Sequence, residues 1–136
     1  LGLYGSATYL AQHPAIIDSM QLADHRFISY IDDLLFSKEL QFISDWCDAE
    51  QVVLRSTSVL AQLEAAAAGV GLAVLPAFLA RRDSRLIRVL PDAAKRTRTV
   101  WMAMQRDLED LSRMRTTWDF LQHACAQLED DLLTYV

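Results

Sequence analysis

The sequence predicts an α/β domain whose largely parallel sheet is covered by helices. The main observation is an apolar strand, a helix and a second apolar strand in residues 52–76, a pattern typical of a βαβ unit with parallel strands. The second strand, "LAVLP" (residues 72–76), is apolar at every position, as in a strand that helices cover on both faces. The chain has 136 residues, 52% of them hydrophobic, and is long enough to bury a core.

The first predicted elements are a strand and a helix joined by a serine. Residues 1–4 are short and apolar, which favours a strand, and Ser6 can cap a helix over residues 7–13 through its hydroxyl. Pro14 ends that helix. Aromatic and branched side chains in residues 27–30 predict another strand. Because the chain begins inside a predicted strand, we expect it to be part of a longer protein.

The middle of the chain carries two predicted helices. Apolar residues at helical spacing predict the first over residues 37–50, with Ser37 as its cap. The second follows the predicted strand Val52–Arg55. Its apolar stripe consists of Val59, Leu63, Ala66 and Val70. We expect Gly69 and Gly71 to end it, since glycine adopts the left-handed conformation at low cost.

The last third begins as a polar loop over residues 83–98 that contains a short strand at Leu86–Val89. The apolar segment "TVWMAM" (residues 99–104) predicts a further strand, and the longest helix follows it. That helix has apolar residues at alternating spacings of three and four: Leu111, Met114, Trp118, Leu121, Cys125, Leu128 and Leu132. Such a stripe fits either a short coiled coil or a helix packed on its own domain, and we expect the latter.

Composition excludes several classes of function. The net charge of −5 disfavours this segment as a nucleic-acid-binding surface, because phosphate binding needs clustered Lys and Arg. Cys47 and Cys125 have neither disulfide nor zinc spacing, which favours reduced thiols in a cytoplasmic protein. We find no metal-ligand pattern, no cofactor motif, no membrane-spanning run and no catalytic constellation, so we predict neither metal nor cofactor and no enzyme.

Three consecutive hydroxyl residues, Ser56, Thr57 and Ser58, stand between the predicted strand and the alanine-rich helix. One of them is enough to cap the helix, so three also predict a ligand site for a carboxylate or another small anion. Ligands of open α/β sheets bind beyond the carboxyl ends of the strands, where such a turn lies. Ser6 occupies a similar junction, and two facing junctions would form a cleft. Capping alone and a binding site both remain open from the sequence.

Two other polar features have simpler interpretations. Asp24 beside His25 could perform acid–base chemistry, but a surface or loop contact is the commoner role of such a pair. Arg55 and, more weakly, Arg26 could supply charge to a bound anion, although a structural or exposed arginine is the simpler interpretation.

Five segments, taken in their order along the chain, resemble the effector-binding domain of LysR-type transcriptional regulators. The most specific is "VVLRSTSVLAQLEAAAAGVGLAVLPAFLA" (residues 52–80), which carries the hydroxyl triplet and the Gly-Val-Gly strand. The others are "LYGSATYLAQHP", "QLADHRFISYIDD", "LIRVLP" and "TVWMAMQRDLEDLSRMRTTWDFL". Ala7 departs from the pattern, since the family often has proline there, and this departure implies a looser turn.

The resemblance implies a fold like that of the type II periplasmic binding proteins, with two α/β subdomains joined by crossing strands. Residues 5–98 would be the second subdomain, residues 1–4 one crossing strand, and residues 99–136 the return strand and a helix of the first subdomain. The winged helix-turn-helix, the linker helix and most of the first subdomain would lie outside this chain. By the same resemblance, the effector contacts would be Ser6, Ser56, Thr57, Ser58, Pro76 and Phe78.

Three functions therefore compete. The resemblance implies a ligand-sensing domain of a regulator that forms dimers or tetramers and touches DNA only through the missing N-terminal domain. A solute-binding protein for transport shares the fold and is the main alternative. An enzyme on this fold, using Asp24 and His25, is the third.

Overall fold

The computed structural model describes residues 1–31, 46–94, 97, 99 and 101–127. The chain divides into two compact units, Leu1–Thr97 and Arg98–Val136, which are described separately below. In the described part of the chain, no helix is long and apolar enough to cross a membrane.

The first unit is built on a sheet that has five strands in the described residues, in the order β3-β2-β4-β1-β5. The strands are β1 (Gly2–Ser6), β2 (Phe27–Ser29), β3 (Val52–Arg55), β4 (Leu72–Leu75) and β5 (Leu86–Val89). The helices are α1 (Ala7–Gln12), α2 (Val59–Ala67) and α3 (Ala77–Ala80), with 3₁₀ turns at Ser19–Asp24 and Ala49–Gln51.

The strand directions decide which strand ends lie together at one edge of the sheet. β2 pairs in parallel with both β3 and β4, while β1 is antiparallel to its neighbours β4 and β5. Four of the five strands therefore run in one direction, and β1 alone opposes them. The predicted βαβ unit is confirmed, since β3 and β4 are parallel, but β2 lies between them.

Apolar side chains fill the space on both sides of the sheet. One cluster joins the sheet to α1 and the segment after it, and consists of Leu3, Tyr9, Leu22, Phe27, Leu72, Val74, Val89 and Ala94. The other joins it to α2 and α3, and consists of Tyr4, Ile28, Leu63, Ala66, Ala73, Leu75 and Ala80. All four residues of β4 are buried, as its apolar sequence predicts.

The two glycines after α2 have different roles. Gly69 has φ +83°, the left-handed conformation expected of a residue that ends a helix. The same prediction for Gly71 is wrong, because Gly71 is not among the glycines with positive φ. A Cβ on Gly71 would lie 2.6 Å from the backbone oxygen of Arg26, so this position is glycine because β4 and the chain entering β2 approach closely.

Most predicted boundaries in the first unit are confirmed, with small shifts. β1 runs two residues further than expected and ends at Ser6, which caps α1 as predicted. β5 has the predicted bounds. The helix predicted over residues 37–50 lies mostly outside the described residues. Its described end is wrong, because residues 46–48 are not helical and only a 3₁₀ turn follows them.

The second unit contains a 3₁₀ turn at Arg106–Leu108 and helix α4 at Ser112–Gln127. The predicted strand over residues 99–104 is wrong for the residues that are described there, since none of them is in a strand. A strand needs the hydrogen bonds of a neighbouring strand, and no described segment pairs with these residues. The predicted long helix is confirmed from Ser112, but no residue of α4 is buried, so burial gives no support to the expected packing.

Candidate functional site

Two polar turns leave the same edge of the sheet. β3 ends at Arg55 and continues into Ser56, while β4 ends at Leu75 and continues into Pro76. Because both strands are parallel to β2, their carboxyl ends lie at one edge, on either side of the end of β2. The structure therefore brings the hydroxyl triplet and Pro76 to one side of the sheet. That is the side where ligands of open α/β sheets bind.

Backbone bonds fix the start of the hydroxyl turn. The N–H of Ser56 donates to the backbone oxygen of Ser29 at the end of β2, over 3.0 Å. The Oγ of Ser56 accepts the N–H of Ser58 at 3.1 Å, and the Oγ of Ser58 accepts the N–H of Ala61 at 3.3 Å. Two of the three hydroxyls are thus used to shape the turn and cap α2.

The side chain of Gln62 stabilises this turn, a role that was not predicted from the sequence. Its side chain is 1% exposed, and its Nε2 donates to the backbone oxygen of Ser56 at 2.6 Å. The signal was present in the sequence, since Gln62 is an amide beside Leu63 on the stripe that packs against the sheet. A buried amide on such a stripe needs a polar partner, and the turn that precedes the helix can supply it.

Thr57 is the hydroxyl that the turn does not use. It is exposed, and its hydroxyl and N–H form no hydrogen bond with any described residue. The N–H groups of Val59 and Leu60, in the first turn of α2, likewise have no acceptor in the described part of the chain. Helix N-termini carry partial positive charge, so these donors can bind a carboxylate without a charged side chain.

Pro76 and Phe78 supply apolar surface at the same edge. Pro76 is half-buried and stands before α3, while the Phe78 side chain is 40% exposed. An exposed aromatic ring at the same edge of the sheet as these donors suits a ligand that has both an apolar body and an anionic group.

Ser6 lies at the opposite edge, and the expectation that its junction faces the hydroxyl turn is wrong. β1 is the antiparallel strand, so its carboxyl end lies beside Gly69 and the start of β4. The side chain of Ser6 is 2% exposed, and its Oγ accepts the N–H of Tyr9 at 3.1 Å. Ser6 therefore acts as a buried helix cap.

A polar network near Ser6 accounts for His25. The N–H of Arg26 donates to the Tyr9 hydroxyl at 2.9 Å, which directs the hydroxyl proton toward Nδ1 of His25 at 3.2 Å. Nε2 of His25 then donates to the backbone oxygen of Pro14 at 3.1 Å. Burial lowers the pKa of His25, because it disfavours the charged ring.

Asp24 makes no hydrogen bond with the ring of His25. The arrangement gives no support to acid–base catalysis by this pair, since the neutral ring of His25 already has both nitrogens bonded.

The remaining candidate groups do not join the site. Cys47 is half-buried, and burial raises the pKa of its thiol to about 11, so the thiol is protonated and unreactive at neutral pH. Within the described residues, no group of His, Cys, Asp and Glu side chains could hold a metal ion. Arg55 is exposed and directly precedes the hydroxyl turn.

Comparisons with known proteins give a matching family model and a solved structure of similar fold. The family model described as the LysR substrate binding domain matches residues 1–126. Among solved structures, the chain is similar to the regulatory domain of CrgA, a LysR-type transcriptional regulator from Neisseria meningitidis. That match has 20% sequence identity and a TM-score of 0.62, and it covers 88% of this chain but 61% of the CrgA chain. A search of curated protein sequences found no match.

Proposed function

Because the chain belongs to the LysR substrate-binding domain family, we propose that it is the effector-sensing part of a LysR-type, DNA-binding transcriptional regulator. The observation that most directly supports this proposal is the hydroxyl turn at the carboxyl edge of the sheet, where Thr57 is exposed and its hydroxyl bonds to no described residue. The effector would bind at this edge, to Ser56, Thr57 and Ser58 on one side and to Pro76 and Phe78 on the other. Ser6 is left out, because it is buried at the other edge.

The chemistry of this edge favours a small organic anion or a polar metabolite. Thr57 offers a hydroxyl, and the first turn of α2 offers backbone N–H groups that have no acceptor in the described residues. These donors are neutral, so they recognise an anion through oriented dipoles. Phe78 adds apolar contact for the body of the ligand.

The chain spans 61% of the related CrgA structure, so it represents part of a regulatory domain. We assign residues 5–98 to the second subdomain, residues 1–4 to a crossing strand, and residues 99–136 to the return segment and the first subdomain. The rest of the first subdomain would close the effector cleft from the other side. A DNA-binding helix-turn-helix would lie upstream, and the whole protein would form dimers or tetramers in the cytoplasm.

In this proposal, the effector changes the balance between two arrangements of the subdomains. An effector can shift that balance only by as much as its affinity differs between the two states. The donors and apolar surface of the second subdomain, together with contacts from the first, would give the closed arrangement more contacts with the effector. The shift then changes how the oligomer is placed on DNA.

The transport alternative is disfavoured by the family match, since the model that matches is that of LysR-type domains. No enzymatic activity is proposed, because this family is defined by ligand binding and the His25 ring is occupied by structural hydrogen bonds.

The proposal is tested by a thermal-shift screen of small carboxylates on the full-length protein. A true effector is expected to raise the melting temperature in a saturable manner, by about RT ln(1 + [L]/Kd) in free energy. Thr57→Val should reduce that ligand-induced shift strongly, since it removes the exposed hydroxyl while keeping the side-chain shape. Ser58→Ala should reduce it less.

Ser6→Ala provides the matched control for lost helix capping. It removes a serine cap at the edge that the proposal excludes, so the ligand-induced shift should be unchanged even though the protein is less stable. A shift that survives Thr57→Val but disappears in Ser6→Ala would contradict the proposed site.

A further inference from the structure

Tyr4 is a buried tyrosine whose hydroxyl the described fold does not use. Its side chain is 6% exposed and packs in the cluster that also contains Leu75 and Ala80. The hydroxyl forms no hydrogen bond with any described residue. A phenylalanine would fill the same space without burying an oxygen, so packing alone does not account for the tyrosine.

Tyr9, also buried, shows how the fold uses such a hydroxyl elsewhere. Tyr9 is 1% exposed, and its hydroxyl accepts the N–H of Arg26 at 2.9 Å and lies 3.2 Å from Nδ1 of His25. Buried hydroxyls are rarely left without a partner. The partner of the Tyr4 hydroxyl therefore has to come from outside the described residues.

The ring of Tyr4 extends toward the carboxyl edge of the sheet. β1 is antiparallel to β4, so its first residue, Gly2, lies opposite Leu75, the last residue of β4. A Cβ on Gly2 would lie 3.1 Å from Cε2 and 3.5 Å from Cζ of Tyr4, so the end of the ring lies over Gly2. The hydroxyl is bonded to Cζ. It therefore lies near the end of β4, where Pro76 begins the turn into α3.

The surroundings of Tyr4 keep its hydroxyl protonated. Burial raises the pKa of Tyr4, and the nearby charge of Arg88 opposes this to a smaller extent. Arg88 lies opposite Tyr4 on β5, and its Nη2 donates to the backbone oxygen of Pro91 at 3.1 Å. At neutral pH the phenol is thus a neutral hydrogen-bond donor.

The Tyr4 hydroxyl and the hydroxyl turn are two separate groups of donors at one edge. β3 and β1 are three inter-strand spacings apart, which is about 14 Å at about 4.8 Å per spacing. Thr57 and the first N–H groups of α2 suit a carboxylate at one end of a ligand. The phenol suits an acceptor oxygen at the other end, and the exposed ring of Phe78 suits an apolar middle.

We propose that Tyr4 is a further effector-binding residue and that the effector is an oxo carboxylate. The carbonyl oxygen, at the end away from the carboxylate, accepts the hydroxyl of Tyr4. A neutral oxygen suits this position because it loses less on leaving water than a second carboxylate would. This inference rests on the proposed function, since it keeps the carboxylate of the same effector at Thr57.

Isothermal titration calorimetry of the full-length protein tests the ligand class with two probes. 5-Oxohexanoate carries a carboxylate and a carbonyl oxygen near its other end. 5-Methylhexanoate has the same charge and nearly the same shape, but a methyl group replaces that oxygen. The native protein should bind the oxo acid about tenfold more tightly than the methyl acid. Equal affinities, tighter binding of the methyl acid, or no binding of the oxo acid would overturn the proposal.

Tyr4→Phe should remove this preference. The affinity for 5-oxohexanoate is expected to fall about tenfold, while that for 5-methylhexanoate stays unchanged. The melting temperature of the ligand-free variant should stay the same or rise, because no hydrogen bond within the described fold is lost. A clear fall in that melting temperature would mean that another part of the protein uses the hydroxyl, and would overturn the assignment.

Tyr9→Phe is the matched control, with the opposite pair of outcomes. It should lower the melting temperature, because its hydroxyl has partners within the fold, and it should keep the preference for the oxo acid. Loss of the preference in both tyrosine variants would indicate a general effect of destabilisation and would contradict a direct contact with Tyr4. If Tyr9→Phe does not fold, Ser6→Ala takes its place at the same edge.

Thr57→Val separates this proposal from the effector site itself. It should weaken both probes by the same factor and leave their ratio unchanged, since the two have the same carboxylate. Weaker binding in Thr57→Val with no effect of Tyr4→Phe would keep the effector site and overturn the role of Tyr4. Loss of the preference in Tyr4→Phe with unchanged affinities in Thr57→Val would keep the contact with Tyr4 and overturn the hydroxyl turn as the carboxylate site.

Discussion

Ser6 and Ser58 occupy the same local position and have different surroundings. Each lies at a strand-to-helix junction, and each accepts an N–H from the first turn of a helix. Ser6 is buried at the edge where β1 ends, whereas Ser58 is exposed at the edge where the parallel strands end. A serine at a strand–helix junction therefore predicts a cap, and only the direction of the preceding strand decides whether a ligand can reach it.

The same contrast extends to the neighbouring polar groups. At the Ser6 edge, Tyr9, His25 and the N–H of Arg26 satisfy one another within the protein. At the Ser58 edge, the hydroxyl of Thr57 and nearby N–H groups have no acceptor in the described residues. Polar groups that the fold has already used stabilise the structure, and those it leaves unused are available to a ligand.

The largest effect is expected from Gly71→Ala at the Ser6 edge. The added Cβ would lie 2.6 Å from the backbone oxygen of Arg26, which itself accepts the N–H of Leu72. We expect the free energy of unfolding to fall by about 3 kcal/mol in urea denaturation, since two backbones must separate.

Gly69→Ala is the control for Gly71→Ala. Gly69 has φ +83°, and an added Cβ would meet the Oγ of Ser6 at 3.4 Å and the Cβ of Tyr9 at 4.0 Å, both ordinary contacts. We therefore expect only the backbone strain, a loss of about 1 kcal/mol. Equal losses in the two variants would show that close approach to Arg26 is not what requires glycine at position 71.

Tyr9→Phe should have the next largest effect. It leaves the N–H of Arg26 without its acceptor in a partly buried position, and Nδ1 of His25 without its donor in a buried one. We expect a loss of about 2 kcal/mol in the free energy of unfolding. Tyr30→Phe, just beyond β2 at the other edge, should change it by less than about 0.5 kcal/mol. A larger loss of unfolding free energy in Tyr30→Phe than in Tyr9→Phe would contradict the proposed difference between the two edges.

Removing the two serine caps should give a smaller difference in the same direction. Ser6→Ala is expected to lower the free energy of unfolding by about 1.5 kcal/mol, because it leaves the N–H of Tyr9 buried without an acceptor. Ser58→Ala should lower it by about 0.7 kcal/mol, since water can reach the N–H of Ala61 at the exposed end of α2. A greater loss in Ser58→Ala would contradict the assignment of the buried and open edges.

Local sequence signals predicted the elements of the first unit well. The bounds of β5, the Ser6 cap and the fully buried β4 each depend on residues close together in the chain. Cap chemistry and apolar runs act over a few residues, so they can be recognised without the rest of the fold.

Features that depend on distant pairing could not be predicted in this way. The antiparallel direction of β1 follows from its partners β4 and β5, and it moves Ser6 to the other edge. The role of Gln62 depends on the position of Ser56, and the irregular backbone of residues 101–104 on the lack of a described neighbouring strand. In each case the deciding contact lies outside the local pattern.

Lowering the pH should reduce the free energy of unfolding through His25 at the Ser6 edge, by less than the substitutions above. Burial lowers the pKa of His25 below its usual value of about 6.5, so the unfolded chain binds a proton more readily than the folded one. The stability that the neutral His25 ring contributes is fully present above about pH 6.5, and it is lost as the pH falls from there toward the lowered pKa of the folded state. The titratable groups that act on this ring are His13, whose ring lies beside it, and Asp24, and the guanidinium of Arg26 contacts Nε2 of His13.

Urea midpoints at pH 7.5 and pH 5.5 measure this effect. The urea midpoint of the native protein should fall on acidification. The midpoint of His25→Gln should fall less between the same two pH values. His123→Gln, on exposed α4, should retain the native dependence. An unchanged slope in His25→Gln would mean that other groups carry the dependence.

Thr57→Val should have the smallest effect on stability and the largest consequence for binding. Thr57 is exposed and its hydroxyl bonds to no described residue, so the free energy of unfolding should change by less than about 0.5 kcal/mol. A loss of 1 kcal/mol or more would mean that the fold already uses this hydroxyl, as it uses that of Ser6. The difference between the two edges would then no longer identify a binding site, whatever ligand the screen finds.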